Sequence, residues 1–377
     1  MSPAAQAGIL LVAPSPPPYG GMAIQSRMLE RNLRAEGVPV GFFPSNLELP
    51  GWLRWAGAIP GLRTTVRTLL IWLTLWSRMK PFGVVHVLAA SWVYFFAVVC
   101  PSVLYARLQG KRVILNYRGG DARTFFDRFG WLIRPVFRAA DVVTAPSEFL
   151  QSVIGECLRI PTVIVPNILD SGVFEFRERR TLRPALLVTR HLEGIYDVET
   201  ALRAFRIVQS RHPDATLAIA GTGSLEAGLR ELATGWNLSG VQFLGHVPHA
   251  ALGAVYDSYD ILLNASRVDN FPGALLEASG AGLVIVSTCA GGIPYVYRDR
   301  VSAMLSPIGD AEALAENVES VLRNPELAKS LAANALAGAR RCDWQEVKRV
   351  LYRVYGFAPV AGDAPELERV GSSETLA

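Results

Sequence analysis

Residues 267–286 read RVDNFPGALLEASGAGLVIV. Asp269 stands in a loop, Pro272 and Gly273 suit the first turn of a helix, and residues 283–287 form an apolar run ending at Ser287. A run that is apolar throughout, rather than alternating, reads as a strand buried on both faces. Loop, helix and buried strand in that order are one unit of a parallel sheet with helical crossovers. Glu277 falls inside the helical part among small and apolar neighbours, and it needs an explanation.

The same alternation runs through the chain. In the first half the strand-like runs are 9–13, 40–43, 84–88, 113–116, 142–145 and 163–166. In the second they are 185–188, 216–220, 241–244, 261–264, 283–287 and a weaker one near Met304. Helical patterns fill the gaps, as in DVETALRAFRIVQSRH, where Val198, Ala201, Leu202, Phe205 and Val208 share one stripe. Two sets of about six strands predict two Rossmann-like α/β domains, 1–170 and 171–342, facing a central cleft. The hinge is expected over 168–176, after the IVPN turn, with the charged run FRERRTLR leading into the second half. A helix over 343–357 is expected to pack back on the first domain, followed by a flexible polar tail, 358–377.

Composition narrows the function. Half of the 377 residues are hydrophobic and 19% are charged, which excludes a disordered or fibrous chain. The net charge of +4 comes with only four lysines (Lys80, Lys111, Lys329, Lys348), so arginine handles anions. No basic cluster interleaved with stacking aromatics is present, which argues against nucleic acid. Cys100, Cys157, Cys289 and Cys342 are far apart with no metal-ligand spacing, so neither disulfides nor a metal site is expected. The N-terminus lacks a basic region followed by an apolar run, so a cytoplasmic location is expected. Residues 81–106 contain no Asp, Glu, Lys or Arg, but His86 and Pro101 interrupt them. They read as a strand and a buried helix rather than a membrane span.

In open α/β sheets, ligands bind at the carboxyl ends of the strands. Three loops stand there. Gly20 and Gly21, in APSPPPYGGM, let backbone N–H groups approach an anion at a helix start, although glycine also suits any strand-to-helix turn. Arg190, in VTRHLEG, can clamp a phosphate bidentately or be a solvated strand-end charge. In the third loop, N–H groups after Pro272 point at the crevice, where a diphosphate docks favourably on the helix dipole. Glu277 then reaches hydroxyl groups, and Asp269 sits nearer the reacting end. One such carboxylate is ordinarily a cap or a surface group. Two of them flank this helix start, and AGGIP (290–294) follows the next strand, so they mark a site.

Taken together, DNFPGALLEASGAGLVIVST and AGGIP resemble the retaining GT-B glycosyltransferases of family 4. NYRGGDA, APSEFL, IVPN, VTRHLEGIYDVETALRAF, IAGTGS and VQFLGHVP extend the resemblance over nearly the whole chain. The resemblance implies transfer of a sugar from a nucleotide-diphosphate donor, a UDP- or GDP-sugar, with retained anomeric configuration. Glu277 would hold the ribose and Asp269 the donor sugar. The diphosphate would meet Arg190, the Gly20-Gly21 loop and the backbone of Asn270, Phe271, Pro272, Gly273, Ala274 and Leu275. No cofactor or metal is expected, because helix dipoles and basic side chains stabilise the leaving group. The chain departs from the family pattern in three places. Asp269 replaces the usual Glu, Arg118 the usual His, and no lysine follows Arg190 in the clamp. Arg118 supplies a fixed cation but cannot act as a base. With Asp269 and Arg190 it completes the expected catalytic set.

The acceptor is expected on the first domain, as a saccharide or a lipid-linked saccharide in cell-surface polysaccharide synthesis. Residues 51–82 interleave Trp52, Trp55, Trp72 and Trp76 with Arg54, Arg63, Arg67, Arg78 and Lys80. A basic, Trp-bearing helix fits a peripheral contact with an anionic membrane; an ordinary helix with a Trp-rich core face fits equally. A non-catalytic GT-B scaffold binding a nucleotide sugar or a protein partner is the rival reading. No GxGxxG follows a strand, which disfavours an oxidoreductase.

Overall fold

The computed structural model describes residues 8–17, 20–51, 55, 59 and 61–357. The Trp52 and Arg54 positions and the 358–377 tail lie outside the described residues. Two all-parallel six-stranded sheets organise the chain. The first runs β2-β1-β3-β4-β5-β6, with β1 Ile9–Ala13, β2 Val40–Pro44, β3 Val84–Ala89, β4 Arg112–Tyr117, β5 Val142–Ala145 and β6 Thr162–Ile164. The second runs β12-β11-β10-β7-β8-β9, with β7 Ala185–Thr189, β8 Thr216–Ala220, β9 Val241–Gly245, β10 Ile261–Asn264, β11 Val284–Thr288 and β12 Met304–Ser306. This is the expected α/β architecture of two Rossmann-like sheets. Strands β1, β3, β10 and β11 are buried along their whole length, as helices on both faces require. Edge strand β6 stops at Ile164, before Pro166, which has no N–H to offer a ladder.

Among the described residues no helix is long and apolar enough to cross a membrane. The uncharged stretch forms β3, a π-helical turn over Phe95–Val99 and a helix over Cys100–Leu108. Pro101 cannot donate to the carbonyl of Ala97 four residues back. The indole Nε1 of Trp72 donates to that carbonyl instead, at 2.9 Å. Trp76 stands edge-on to Tyr105 with ring centroids 5.4 Å apart. Both tryptophans of the helix Leu62–Met79 therefore do packing work, although each keeps about 40% of its surface exposed.

Two chain crossings join the halves. At the first, the backbone N–H of Ile168 donates to Gln25 Oε1 at 2.8 Å and its carbonyl accepts from Gln25 Nε2 at 3.0 Å. At the second, the chain returns and the helix Trp344–Tyr355 lies on the first sheet. Val347, Leu351, Val354 and Tyr355 share a core with Ile9, Leu11, Met28, Leu33, Val84 and Ile114. The crossings touch each other, since Leu169 N–H donates to the carbonyl of Cys342 at 2.9 Å. The charged run after the first crossing is a strap: Arg177, Arg179 and Arg183 converge on the buried Asp260 at the start of β10.

Candidate functional site

The carboxyl ends of both sheets face one cleft of ≈ 440 Å³, lined by residues of both halves. From the first half come Gly21, Gln25, Arg118 and Asn167. From the second come Arg190, Asp269, Asn270, Phe271, Ala274 and Glu277, together with Gly273 at the helix start. Gly20 caps the helix Gly21–Ala35 but does not line the cleft. Neither do Pro272 and Leu275. Leu275 is fully buried in the second-half core, so its main-chain N–H is what it has to offer a ligand.

The helix Gly273–Ala281 opens without a side-chain cap after extended Pro272, so its first N–H groups are left to a ligand or water. The loop before it is held by close backbone contact. Gly292 N–H donates to the carbonyl of Asp269 at 2.7 Å. A Cβ on Gly292 would stand 2.0 Å from the carbonyl oxygen of Asn270. Gly291 lies at φ 51°, where its Cβ would stand 2.3 Å from the Asp269 carbonyl oxygen. That is the physical reason for the paired glycines of AGGIP.

Arg190 is engaged on two sides: Nε donates to Asn264 Oδ1 at 2.9 Å and Nη2 to Asp269 Oδ2 at 2.8 Å. Its guanidinium carbon lies 5.3 Å from the Tyr196 ring centroid. Burial raises the Asp269 carboxyl above the ordinary carboxylate value, opposed by Arg190. Glu277 is raised too, again by burial, against a hydrogen bond from the Tyr256 hydroxyl at 2.8 Å. The same hydroxyl shares a 2.7 Å hydrogen bond with Thr189 Oγ1. His249 lies beside Glu277 in the cleft wall and 3.5 Å from Asp170, an ion-pair distance rather than a short hydrogen bond. The Asp170 carboxylate raises the His249 imidazole above its usual range.

Across the cleft, Arg118 donates to Asn167 Oδ1 and, at 3.4 Å, to Asn116 Oδ1. Burial lowers its guanidinium to about 10, which leaves it charged at neutral pH. Hydrogen bonds from two asparagines close the floor between the halves. Asn270 Nδ2 donates to the Gly119 carbonyl at 2.7 Å, and Asn167 Nδ2 to the Phe271 carbonyl at 3.2 Å. The structure thus brings Arg118, Arg190, Asp269 and Glu277 to one cleft. Among the described residues no group of three or more His, Cys, Asp or Glu side chains is placed to hold a metal ion.

Sequence reasoning missed Tyr256, His249, Asn264 and Asn167. Tyr256 reads as a core aromatic of its helix. Asn167 had a signal, as a polar residue closing the IVPN turn at a strand end.

Residues 175–337 match the family model described as glycosyl transferases group 1. Among curated relatives, glycogen synthase of Mycobacterium tuberculosis is 29% identical over 232 residues, covering 60% of this chain and 55% of that protein. Phosphatidyl-myo-inositol mannosyltransferase of Mycobacterium leprae is 28% identical over 215 residues, 56% of this chain and 57% of that one. The chain therefore spans little more than half the length of these relatives. Solved structures share the GT-B fold. Anabaena Alr3699/HepE in complex with UDP superposes with a TM-score of 0.69 at 15% identity, over 93% of this chain and 99% of that one. Sucrose-phosphate synthase from Thermosynechococcus elongatus gives 0.72 at 17% identity, over 93% and 98%.

Proposed function

We propose that this chain, a relative of the group 1 glycosyltransferases with their GT-B fold, transfers a sugar from a UDP- or GDP-sugar to a saccharide or lipid-linked saccharide, with retention. The second half would hold the donor and the first half the acceptor. The observation that carries the reading is the convergence of two part-buried carboxylates, two arginines and an uncapped helix start on one cleft between two parallel sheets. Glycosyl transfer from such a donor releases a nucleoside diphosphate, so its charge must be met as the bond breaks. Arg118, Arg190 and the amides of the helix Gly273–Ala281 are fixed before the reaction, and a shielded site strengthens each contact. No resident metal is part of the proposal. Glu277 accepts from the ribose hydroxyls, and Asp269, steadied by Arg190, accepts from hydroxyls of the transferred sugar.

The reading is tested by melting the protein with UDP and GDP, then measuring transfer from UDP- and GDP-sugars. One nucleotide should raise the melting temperature, because a ligand bound only by the folded state stabilises it. Proton NMR of the product should show the donor's anomeric configuration. A melting shift with neither hydrolysis nor transfer would favour the non-catalytic scaffold.

The membrane reading rests on the helix Leu62–Met79. Leu69 and Leu73 are exposed on it, beside Trp72, Trp76, Arg63, Arg78 and Lys80. We assign this face to the cytoplasmic surface of an anionic membrane carrying the acceptor, in cell-surface polysaccharide synthesis. Co-sedimentation with anionic but not neutral vesicles is expected, and failure to bind either removes the assignment.

A further inference from the structure

Behind Arg118, on the side away from the open cleft, lies a second cavity of ≈ 20 Å³ lined by Gln25, His86, Asn116 and Arg118 among apolar side chains. Strand geometry explains the cluster. His86 on β3 pairs with Ile114 on β4, and Leu88 with Asn116. Side chains alternate across a strand, so His86, Ile114, Asn116 and the following Arg118 share one face of the sheet. The returning helix Trp344–Tyr355 covers that face. There Tyr355 is fully buried, with its hydroxyl 2.8 Å from His86 Nδ1. His86 is itself fully buried, and its Nε2 has no partner among the described residues. Burial, helped by the Arg118 charge, lowers its imidazole to about 3, so it is neutral.

A buried polar nitrogen without a partner is costly, and a polar cavity of this size holds one water, which needs only about 10–15 Å³. The direction of the hydrogen bonds follows from donor inventory. A guanidinium has donors and no acceptor, so a water between it and an imidazole nitrogen accepts from the arginine and donates to the imidazole. We propose that His86 is a positioning residue for Arg118: Arg118 donates to one buried water, the water donates to His86 Nε2, and His86 Nδ1–H donates to Tyr355 Oη. The returning helix thereby fixes the angle at which a first-half cation meets the donor diphosphate. This last consequence rests on the functional reading above; the hydrogen-bond order does not.

Nitrogen-15 spectra of histidine-labelled protein, with His86 assigned by the signal missing from His86→Gln, report the tautomer without any ligand. The proton is expected on Nδ1. A proton on Nε2, with the ring accepting from Tyr355, overturns the relay. Binding of nucleosides and their diphosphates then reads the consequence. In His86→Leu the affinity for the better-bound of UDP and GDP should fall about tenfold while that for its nucleoside is unchanged, the size of a lost charge-assisted contact. His86→Gln, which keeps an acceptor, should recover most of it. Tyr355→Phe, which removes one oxygen, should lose about threefold, again on the diphosphate alone. It serves as the variant of record if His86→Leu does not fold. Unchanged binding in these variants, or equal losses on nucleoside and diphosphate, refutes the positioning role. If the wild-type chain binds neither diphosphate, the functional reading fails while the tautomer still decides the relay.

Discussion

Asp269 and Glu277 are both part-buried acids whose carboxyls are raised by desolvation, yet removing their charges should have opposite effects on stability. Glu277 accepts from the Tyr256 hydroxyl and makes no ion pair among the described residues; the nearby His249 and Arg190 charges oppose the effect of burial without outweighing it. Its folded state holds a proton more readily than the unfolded chain does. The resulting penalty is absent below the ordinary value of 4.5 and complete once pH exceeds the raised folded value. Glu277→Gln should therefore raise the melting temperature of the unliganded protein by about 1–3 °C at neutral pH, with the gap closing below pH 4.5. It should also abolish the melting shift caused by UDP or GDP. A less stable variant, or one that keeps the ligand shift, contradicts the role given to this carboxylate. Asp269 is ion-paired to Arg190 at 2.8 Å, so Asp269→Asn leaves a buried guanidinium short of its partner. Urea melts should show a loss of about 1–3 kcal/mol, alongside loss of transfer. The two acids were legible from their spacing around Pro272-Gly273. Their supports were not, because Tyr256 reaches Glu277 only once the helix His249–Ser258 is folded, and Asn264 reaches Arg190, the partner of Asp269, only once β10 is.

At the scale of elements, the order and type of the strands could be read from apolar runs alone, because parallel strands buried on both faces leave a dense signal. What spacing could not show is where one element leans on another. Trp72 belongs to an amphipathic face by pattern, yet its indole satisfies a carbonyl that Pro101 strands. The loop Asp269–Phe271 likewise depends on a neighbour. Gly292→Ala would drive a methyl into the Asn270 carbonyl, and backbone, unlike a flexible side-chain end, gives way only by moving. The expected result is a loss of about 1–3 kcal/mol in denaturant melts. Donor binding should fall by more than that stability change explains, since Asp269 and Asn270 move together. Donor affinity equal to wild type would show that the loop does not need this support.

At the scale of the whole molecule, two halves facing a cleft were legible from twelve strands in two sets; the side-chain pairs that link the halves were not. Among them is a chain of charges: Arg31 of the first half lies 3.0 Å from Asp170 at the crossing, and His249 of the second half lies 3.5 Å from the same carboxylate. Asp170 raises His249 above 6.5, so the folded protein holds that proton more tightly. The stabilisation is fully present below pH 6.5 and is lost as pH rises through the higher folded value. The melting temperature of the wild type should decline from pH 6.5 upward, and Asp170→Asn should flatten that decline. Identical slopes would mean that the pair contributes nothing. The hydrogen bond from Leu169 to Cys342 has a mechanical consequence. Two connecting strands fastened at one point act like the paired leaves of a door hinge. Such a tie is expected to favour swinging over twisting or sliding of one lobe across the other, so that closing the cleft would return the facing arginines to register.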